Sequence, residues 1–444
     1  MKPNTENVFH RQIAKDYPAV VRGQGVHLWD ENGKKYLDGA AGVFVAILGQ
    51  GVEEIADAIN EEMHRLTFAY TTTFTSEKER ALTRKLVEWA PEGFDKAWIC
   101  TSGSAANETA IKLARHYHLV RGNSNKYRVV ARRHSYHGSS MGALSLTGAA
   151  PRREPYEPLL IDFPHISPPN CYRCPLDLQY PSCAAACASE LEDVIQRVGA
   201  DTVSAFIVEP MAGGPLGGLV TPPEYMQAAR EICDRHDVLL IADEVISGIG
   251  RTGRKFAIEH TGVTPDVITV AKGLGAGFVP IGGVVAHERV HAAFEKAETS
   301  FVHGESFTGH TAVSAAGLAT LEYIEAHDLV SRAEEMGDYL GERMAMLGDH
   351  PMVGEIRGCG LLRGAELVAD KSSKRPFARA EGVAETVARE CTERGLLILP
   401  GVAGADGTDG DTVILGPPYI VTREEIDDMV SILGEAIQAV SART

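Results

Sequence analysis

Strand-like apolar runs alternate with helical patterns through the middle of the chain, and this alternation constrains the fold more than any other feature. The strand candidates are AWIC (97–100), YRVVA (127–131), VSAFIVE (203–209), VLLIADE (238–244) and VITVA (267–271). The helix candidates span 104–121, 189–198, 222–236 and 309–326. Strands that alternate with helices are typical of an α/β protein whose sheet is mainly parallel. We therefore predict such a sheet at the centre of the molecule.

Both ends of the chain show a different pattern. GVHLWDENGKKYLDGAAG (25–42) predicts a hairpin around Glu31–Gly33, and 328–348 and 379–394 predict helices beside the strand-like runs GLLRGAELV and DTVILGPPYIV. The 444 residues exceed the roughly 250–300 that share one core, so we expect two lobes. We predict a large domain over 61–327 and a small α+β domain built from 1–60 and 328–444. The Gly- and Pro-rich stretches 148–176 and 400–411 are predicted surface loops.

Charge and composition exclude several classes of partner. A net charge of −17 argues against nucleic acid or an anionic membrane as the main partner. No apolar run approaches the roughly 20 residues that cross a bilayer, and no secretory signal is visible. Eight cysteines in so long a chain do not indicate a disulfide scaffold. We expect a cytoplasmic protein.

The stretch DVITVAKGLGAGFVPIGG (266–283) places Lys272 at the end of an apolar strand, with glycines after it. Burying an ammonium group is costly, since it must be compensated or its pKa falls. The simplest interpretation is a lysine that extends to the surface. Other segments favour a functional role.

Four further segments carry polar groups next to predicted strands or helices. In CTSGSAANETA (100–110), Thr101–Ser104 precede a helix and predict an anion site, or else an ordinary N-cap at Ser102. In ADEVISGIGRTG (242–253), Asp243 and Glu244 follow a strand, where open α/β sheets bind ligands, although solvated loop acids are the alternative.

RHSYHGSS (133–140) contains the rings of Tyr136 and His137, which could stack on a flat ligand. The alternative is that they are an aromatic pair at the protein surface. SFVHGESFTGHT (300–311) again places hydroxyl residues before a helix. An amine, an acid, an aromatic face and a phosphate cradle at one sheet edge are the needs of pyridoxal 5′-phosphate (PLP). Together the segments predict a PLP site around Lys272.

The segment Gly248–Gly253 matches the dinucleotide pattern G-x-G-x-x-G but lacks its context. Three residues, 245–247, separate the predicted strand from the first glycine, and RKFAIEHTG is too short for a crossover helix. A dehydrogenase is therefore not favoured.

The order and spacing of these motifs resemble the class III PLP-dependent aminotransferases of fold type I, the ω-transaminase group. The most specific match is ADEV followed by GRTG and AKGLGAGFVPIGG, and the resemblance runs from GVHLWDENGKKYLDGAAG to LGPPYIVTREEID. It implies amino transfer from an amine or ω-amino acid to a 2-oxo acid, with pyruvate as the expected acceptor. It also implies a ping-pong reaction through a pyridoxamine form, and a homodimer with active sites shared across its interface.

The resemblance assigns roles residue by residue. Lys272 would form the aldimine with PLP and shuttle a proton, and Asp243 would pair with the pyridinium nitrogen. The implied cofactor-binding residues are Gly103 and Ser104 at the phosphate, Tyr136 and Val245 on the two ring faces, Asp243, Lys272, His137, Glu209 and, from the partner subunit, Thr308. The implied substrate pocket contains Phe44 and Tyr136.

Three positions depart from the family pattern. The usual Glu after SGS is Ala105, which should not affect phosphate binding. Ile414 stands at the position where ornithine-type enzymes carry a carboxylate-binding Arg. Pro400 stands at the closest match to the mobile Arg of amine transaminases. Because Arg binds carboxylates bidentately, the substrate either lacks a carboxylate next to the reacting carbon or meets an Arg from elsewhere.

The thiols of Cys171, Cys174, Cys183 and Cys187 form the pattern C-x2-C-x8-C-x3-C. We expect inert thiols packed in an inserted loop, with a zinc site or a disulfide as alternatives. A zinc-stabilised binding module centred on 171–187 is the non-enzymatic hypothesis. Decarboxylases, racemases, aminomutases and phospho-lyases are the alternatives on the same fold. The sequence identifies neither the amino donor nor the acceptor. It also does not determine the stereochemical preference or whether the protein is a dimer or a tetramer.

Overall fold

The computed structural model describes residues 7–12 and 15–443. Its strands, in chain order, are β1 (Val20–Gln24), β2 (His27–Asp30), β3 (Lys35–Asp38), β4 (Phe94–Cys100), β5 (Arg128–Arg132), β6 (His165–Ile166), β7 (Val203–Val208), β8 (Met211–Ala212), β9 (Leu219–Val220), β10 (Leu239–Asp243), β11 (Val267–Val270), β12 (Gly282–His287), β13 (Val353–Cys359), β14 (Leu362–Leu367), β15 (Leu396–Leu397), β16 (Leu399–Val402) and β17 (Asp411–Leu415). Its α-helices are α1 (Ala41–Phe44), α2 (Glu53–Arg65), α3 (Glu77–Trp89), α4 (Gly103–Val120), α5 (Met141–Leu146), α6 (Ala150–Arg153), α7 (Ser189–Val198), α8 (Pro223–Arg235), α9 (Glu288–Lys296), α10 (Thr311–Ala326), α11 (Leu329–Ala345), α12 (Val383–Glu393) and α13 (Arg423–Ser441).

The central sheet has seven strands in the order β4-β12-β11-β10-β7-β5-β6. Only β12 runs antiparallel to its neighbours, so the predicted α/β class with a mainly parallel sheet is confirmed. Every residue of β7, β10 and β11 is buried, as expected where helices cover both faces of a parallel sheet. Along β10, Leu239 and Ile241 pack into one hydrophobic cluster, whereas Leu240 and Ala242 pack into another.

The strand and helix predictions agree with the structure to within a few residues. The predicted helix 189–198 has the bounds of α7, and Gly122, with φ of 84°, follows the end of α4. The loop prediction for 400–411 is wrong at its start, because residues 399–402 form β16. This strand is at the edge of its sheet, where Pro400 needs no ladder hydrogen bond. The loop prediction for 148–176 misses α6 and the short β6.

The two ends of the chain meet in one sheet. The predicted hairpin forms from β2 and β3, and β15, from the C-terminal part of the chain, pairs with β3 in parallel. A second small sheet has the order β13-β14-β17-β16. The domain division at residues 60 and 327 stays a prediction. Within the described part of the chain, no helix combines the length and apolar character needed to span a bilayer.

Gly248–Gly253 forms a series of turns and not the start of a crossover helix. The guanidinium of Arg251 is fully buried and donates hydrogen bonds to the carbonyls of Leu361 and Pro417, at 3.0 and 2.6 Å. This segment therefore connects the central sheet to the C-terminal part of the fold, and the dinucleotide interpretation has no structural support.

Candidate active site

The carboxyl ends of the parallel strands surround one cavity of about 280 Å³, which we call the inner cavity. Parallel strands end at the same edge of a sheet, so the residues that follow them are brought together although they are distant in sequence. The predicted cofactor residues that line the inner cavity are Gly103, Ser104, Tyr136, His137, Glu209, Asp243, Val245 and Lys272. The position of Lys272 in this cavity favours a functional role over the alternative of a lysine that extends to the surface.

Lys272 follows the end of β11 and begins a short 3₁₀ helix, Lys272–Gly275. Its Nζ lies 5.4 Å from the centroid of the Phe44 ring. Desolvation lowers the pKa of Lys272 to about 8, and the carboxylates of Asp243 and Glu209 oppose this shift. A neutral amine, the form that attacks a carbonyl, is thus available near neutral pH.

Asp243 is the last residue of β10, and its carboxylate accepts three hydrogen bonds. His137 Nδ1 lies 2.7 Å and Asn107 Nδ2 lies 2.8 Å from Asp243 Oδ2, while the backbone N–H of Val245 donates to Oδ1 at 3.0 Å. The carboxylate is 4% exposed. It is therefore held in one orientation at the wall of the inner cavity.

Asn107 is the functional residue that the sequence analysis missed. Besides Asp243, its amide donates to the carbonyl of His137 at 2.7 Å, and its own carbonyl accepts from Thr269 Oγ1 at 2.8 Å. A buried polar residue on the first turns of α4, directly after SGSAA, was the available signal. Asn107 connects α4, the segment after β5, and β11 around Asp243.

The N-terminus of α4 is shaped for a small anion. A Cβ on Gly103 would lie 2.8 Å from Val245 Cγ1, and a Cβ on Gly138 would lie 2.5 Å from Ser104 Oγ. Ser104 Oγ accepts the backbone N–H of Ser139 at 3.1 Å, so its own O–H remains able to donate. The N-cap alternative is also present, since Ser102 Oγ accepts the N–H of Ala105. Helix N–H groups and this hydroxyl could together hold a phosphate.

Glu209 follows β7 and is 4% exposed, and its Oε2 has no hydrogen-bond partner among the described residues. Burial raises the pKa of Glu209 to about 7, although His137 and Arg132 oppose the shift. The Arg132 Nη2 atom lies 3.9 Å from Oε2 and donates instead to the carbonyl of Glu209 at 2.6 Å.

Replacing Glu209 with glutamine should stabilise the cofactor-free protein in a pH-dependent way. Between pH 5 and 7 the folded carboxyl binds more protons than the unfolded one, so the wild type loses stability as the pH rises. The free energy of unfolding of E209Q relative to wild type should therefore increase by up to about 3 kcal/mol between pH 5 and 8. Denaturant unfolding at both pH values measures this. The exposed Glu231, changed to glutamine, is the control, and a difference independent of pH would contradict the assignment.

A second cavity of about 530 Å³, the outer cavity, adjoins the first and shares Lys272 and Tyr136 with it. The predicted pocket residue Phe44 lines the outer cavity, and Pro400 lines it too. Phe44 packs in a buried apolar cluster with Met211, Leu362 and Ile414. Positions 400 and 414, where the resemblance leads us to expect an arginine, therefore carry apolar side chains.

The comparison with known proteins decides the family. The family described as aminotransferase class-III matches residues 10–437. The chain belongs to the class III aminotransferase family. It is 34% identical over 430 residues to YodT of Bacillus subtilis, described as an uncharacterised aminotransferase, covering 97% of both chains. It is 35% identical to a diaminobutyrate–2-oxoglutarate transaminase of Halomonas elongata, covering 95% of this chain and 90% of that one.

Solved structures agree with this family. The fold of this aminotransferase matches the crystal structure of an (S)-enantioselective ω-transaminase from Thermomicrobium roseum with a TM-score of 0.89 and 34% identity. The match covers 96% of this chain and 93% of that one. The fold type I assignment and the enzyme class are thus confirmed, and the hypothesis of a non-enzymatic zinc-stabilised binding module is wrong.

The residues of this aminotransferase fit PLP. The inner cavity contains an amine of lowered pKa, an oriented carboxylate, and a helix N-terminus whose backbone N–H groups, with the Ser104 hydroxyl, could hold a phosphate. Two buried polar atoms beside it, Glu209 Oε2 and His137 Nε2, have no partner within the described residues. Such atoms are the ones that a polar ligand can satisfy.

Thr308 lines neither cavity in the single chain. Its Oγ1 accepts the backbone N–H of Glu305, and Glu305 in turn accepts from Thr101, which lines the inner cavity. The role of Thr308 at a partner subunit's cofactor stays a prediction.

The four clustered cysteines line a small cavity of about 20 Å³ and all carry free thiols. Burial raises the pKa of Cys187 to about 11. Among the described residues, no group of three or more His, Cys, Asp or Glu side chains is arranged to hold a metal. Inert thiols stay a prediction, and metal analysis of the purified enzyme by mass spectrometry is its test.

Proposed function

We propose that this enzyme moves an amino group from an amine or ω-amino acid to a 2-oxo acid, with pyruvate as the acceptor and PLP as the cofactor. The observation that carries the proposal is an amine of pKa about 8, Lys272, in one cavity with the carboxylate of Asp243. Membership of a PLP-dependent family supports the choice of cofactor. Free thiols at all eight cysteines support a reducing compartment, the cytoplasm.

Each residue has a defined task in this proposal. Lys272 would hold PLP covalently, and Asp243 would face the ring nitrogen. Tyr136 and Val245 would contact the ring, and Gly103 with the neighbouring helix N–H groups would bind the phosphate. When bound, PLP supplies an electron sink that makes the bond between hydrogen and the amine-bearing carbon acidic. Lys272, once released, would then take that proton and return it to the cofactor side.

The apolar residues at positions 400 and 414 support a donor without a carboxylate on the reacting carbon. Phe44 and Pro400 line the outer cavity, while Ile414 is fully buried against Phe44, so neither position 400 nor position 414 supplies an arginine to bind such a group. The Thermomicrobium roseum relative is an ω-transaminase, which is in line with an amine donor. The name of the Halomonas elongata relative makes 2-oxoglutarate the second acceptor to test.

A homodimer with shared active sites is part of the proposal. The side chains of Phe68, Tyr70, Phe74, Val302 and Phe307 are large, apolar and exposed, and they lie in the segments beside Thr308. Phe68 and Phe307 contact each other, with ring centroids 6.2 Å apart. An apolar surface of this kind typically marks an interface. Covering it with a second copy would bring Thr308 to the partner's phosphate site.

The visible absorption spectrum of the purified, PLP-loaded enzyme tests the function. Addition of 1-phenylethylamine, and separately of alanine, should bleach the absorption of the lysine-bound cofactor, and subsequent pyruvate should restore it. A band that shifts without bleaching would indicate a decarboxylase, racemase or lyase. Absence of any band after PLP addition would overturn the role of Lys272.

A further inference from the structure

Two consecutive arginines, Arg152 and Arg153, behave differently in the fold. The guanidinium of Arg153 donates to the carbonyls of Ser145 and Thr147, at 2.8 and 3.0 Å, and pairs with Glu157 at 2.9 Å. These contacts attach the short helix α6 to the end of α5. Arg153 therefore has a structural role. It attaches α6, the helix that also carries Arg152, to α5.

Arg152 lines the outer cavity together with Lys272. Its guanidinium carbon lies over the Tyr136 ring, 4.9 Å from the centroid, which is a cation–π contact. Within the described part of the chain, the guanidinium of Arg152 has no hydrogen-bond or ion-pair partner, and only its backbone N–H is bonded, to the carbonyl of Ala149 at 3.0 Å. Its charge also contributes to the lowered pKa of Lys272, so it acts across the same space.

The outer cavity is positive although the protein is strongly acidic. Its lining includes the side chains of Arg11, Arg152 and Lys272, and none of its described lining residues is Asp or Glu. The chain as a whole carries a net charge of −17. A cation-lined cleft in an acidic protein selects anionic ligands, since the remaining surface repels them.

We propose that Arg152 binds the acid group of the substrates, and this inference rests on the proposed function. The acid is the carboxylate of the 2-oxo acid, or the terminal carboxylate or sulfonate of an ω-amino acid. A planar guanidinium offers two parallel N–H donors that match such oxyanions. The contact with the Tyr136 ring positions this guanidinium in the outer cavity. Arg152 would thus replace, from a different segment, the arginines that are missing at positions 400 and 414.

Separate half-reactions, with matched substrates that differ only in the acid group, test the proposal. The variants are Arg152→Gln and Arg152→Lys, and the control is Arg423→Gln, an exposed arginine on α13. For Arg152→Gln, we expect kcat/KM to fall by about 10- to 100-fold with β-alanine and with pyruvate, as for loss of one charge-assisted pair. Propylamine and acetone, in which a methyl group replaces the carboxylate of β-alanine and of pyruvate, should change less than about twofold, and Arg152→Lys should recover part of the loss.

Binding of propanoate, an unreactive acid, gives a readout that needs no turnover. Calorimetry should show its dissociation constant rising by about tenfold or more in Arg152→Gln. Equal losses with acetone and pyruvate would show that Arg152 only supports Tyr136, and unchanged kinetics with pyruvate would also overturn the proposal. Failure of the wild type to transfer an amino group from any donor would refute the proposed function, whereas propanoate binding would still report on Arg152.

Discussion

Lys272→Ala is expected to lower kcat for amino transfer by at least about 10³-fold, because one side chain supplies both the covalent attachment and the proton transfer. The lowered pKa of about 8 is what suits this amine for both tasks. Alanine leaves the inner cavity larger and the carboxylates of Asp243 and Glu209 without their nearby cation. The fold should survive, because the chain before and after residue 272 is held by β11 and β12.

Steady-state kinetics with 1-phenylethylamine and pyruvate measure this loss. Borohydride reduction of the PLP-loaded enzyme, followed by peptide mass analysis, should place the cofactor on the peptide containing Lys272. Lys96→Ala, which removes an exposed lysine, is the control and should keep normal activity and labelling. A label on another lysine, or activity within tenfold of wild type in Lys272→Ala, would refute the assignment.

Asp243→Asn is expected to lower kcat by about 10²- to 10³-fold, the range typical for loss of one preorganised electrostatic group. The substitution keeps the size of the side chain but removes its negative charge. The new amide also meets the donors of His137, Asn107 and Val245, which were arranged for an acceptor. The ring nitrogen of PLP would lose the partner that keeps it protonated.

The same kinetic assay measures this effect, together with circular dichroism to confirm folding. Asp201→Asn, at an exposed position, is the matched control. Asn107→Ala removes one donor to Asp243 without changing the carboxylate and should give a smaller loss, about tenfold or less. An Asp243→Asn enzyme that is folded and retains kcat within threefold would rule out a role for the charge.

The strand ends and the lysine were predictable because their signals are local. Apolar runs of four to seven residues and their flanking glycines are visible in any single segment, and parallel strands bring their carboxyl ends to one edge. Asn107 was not predictable in this way. Its role depends on three partners that lie 30, 136 and 162 residues away, and no local pattern distinguishes it from an ordinary helix residue.

The adjacent residues Arg152 and Arg153 show most clearly the difference between what the sequence predicts and what only the tertiary structure decides. The sequence by itself determined the parallel α/β architecture, the family and the position of the reactive amine, because spacing and apolarity are properties of short stretches. Only the tertiary structure decided that Arg153 is attached to backbone carbonyls while Arg152 lies over Tyr136, in a cavity whose described lining residues include no Asp or Glu. Hydrogen bonds and charge interactions act over a few ångströms, so their partners are set by the packing of distant segments.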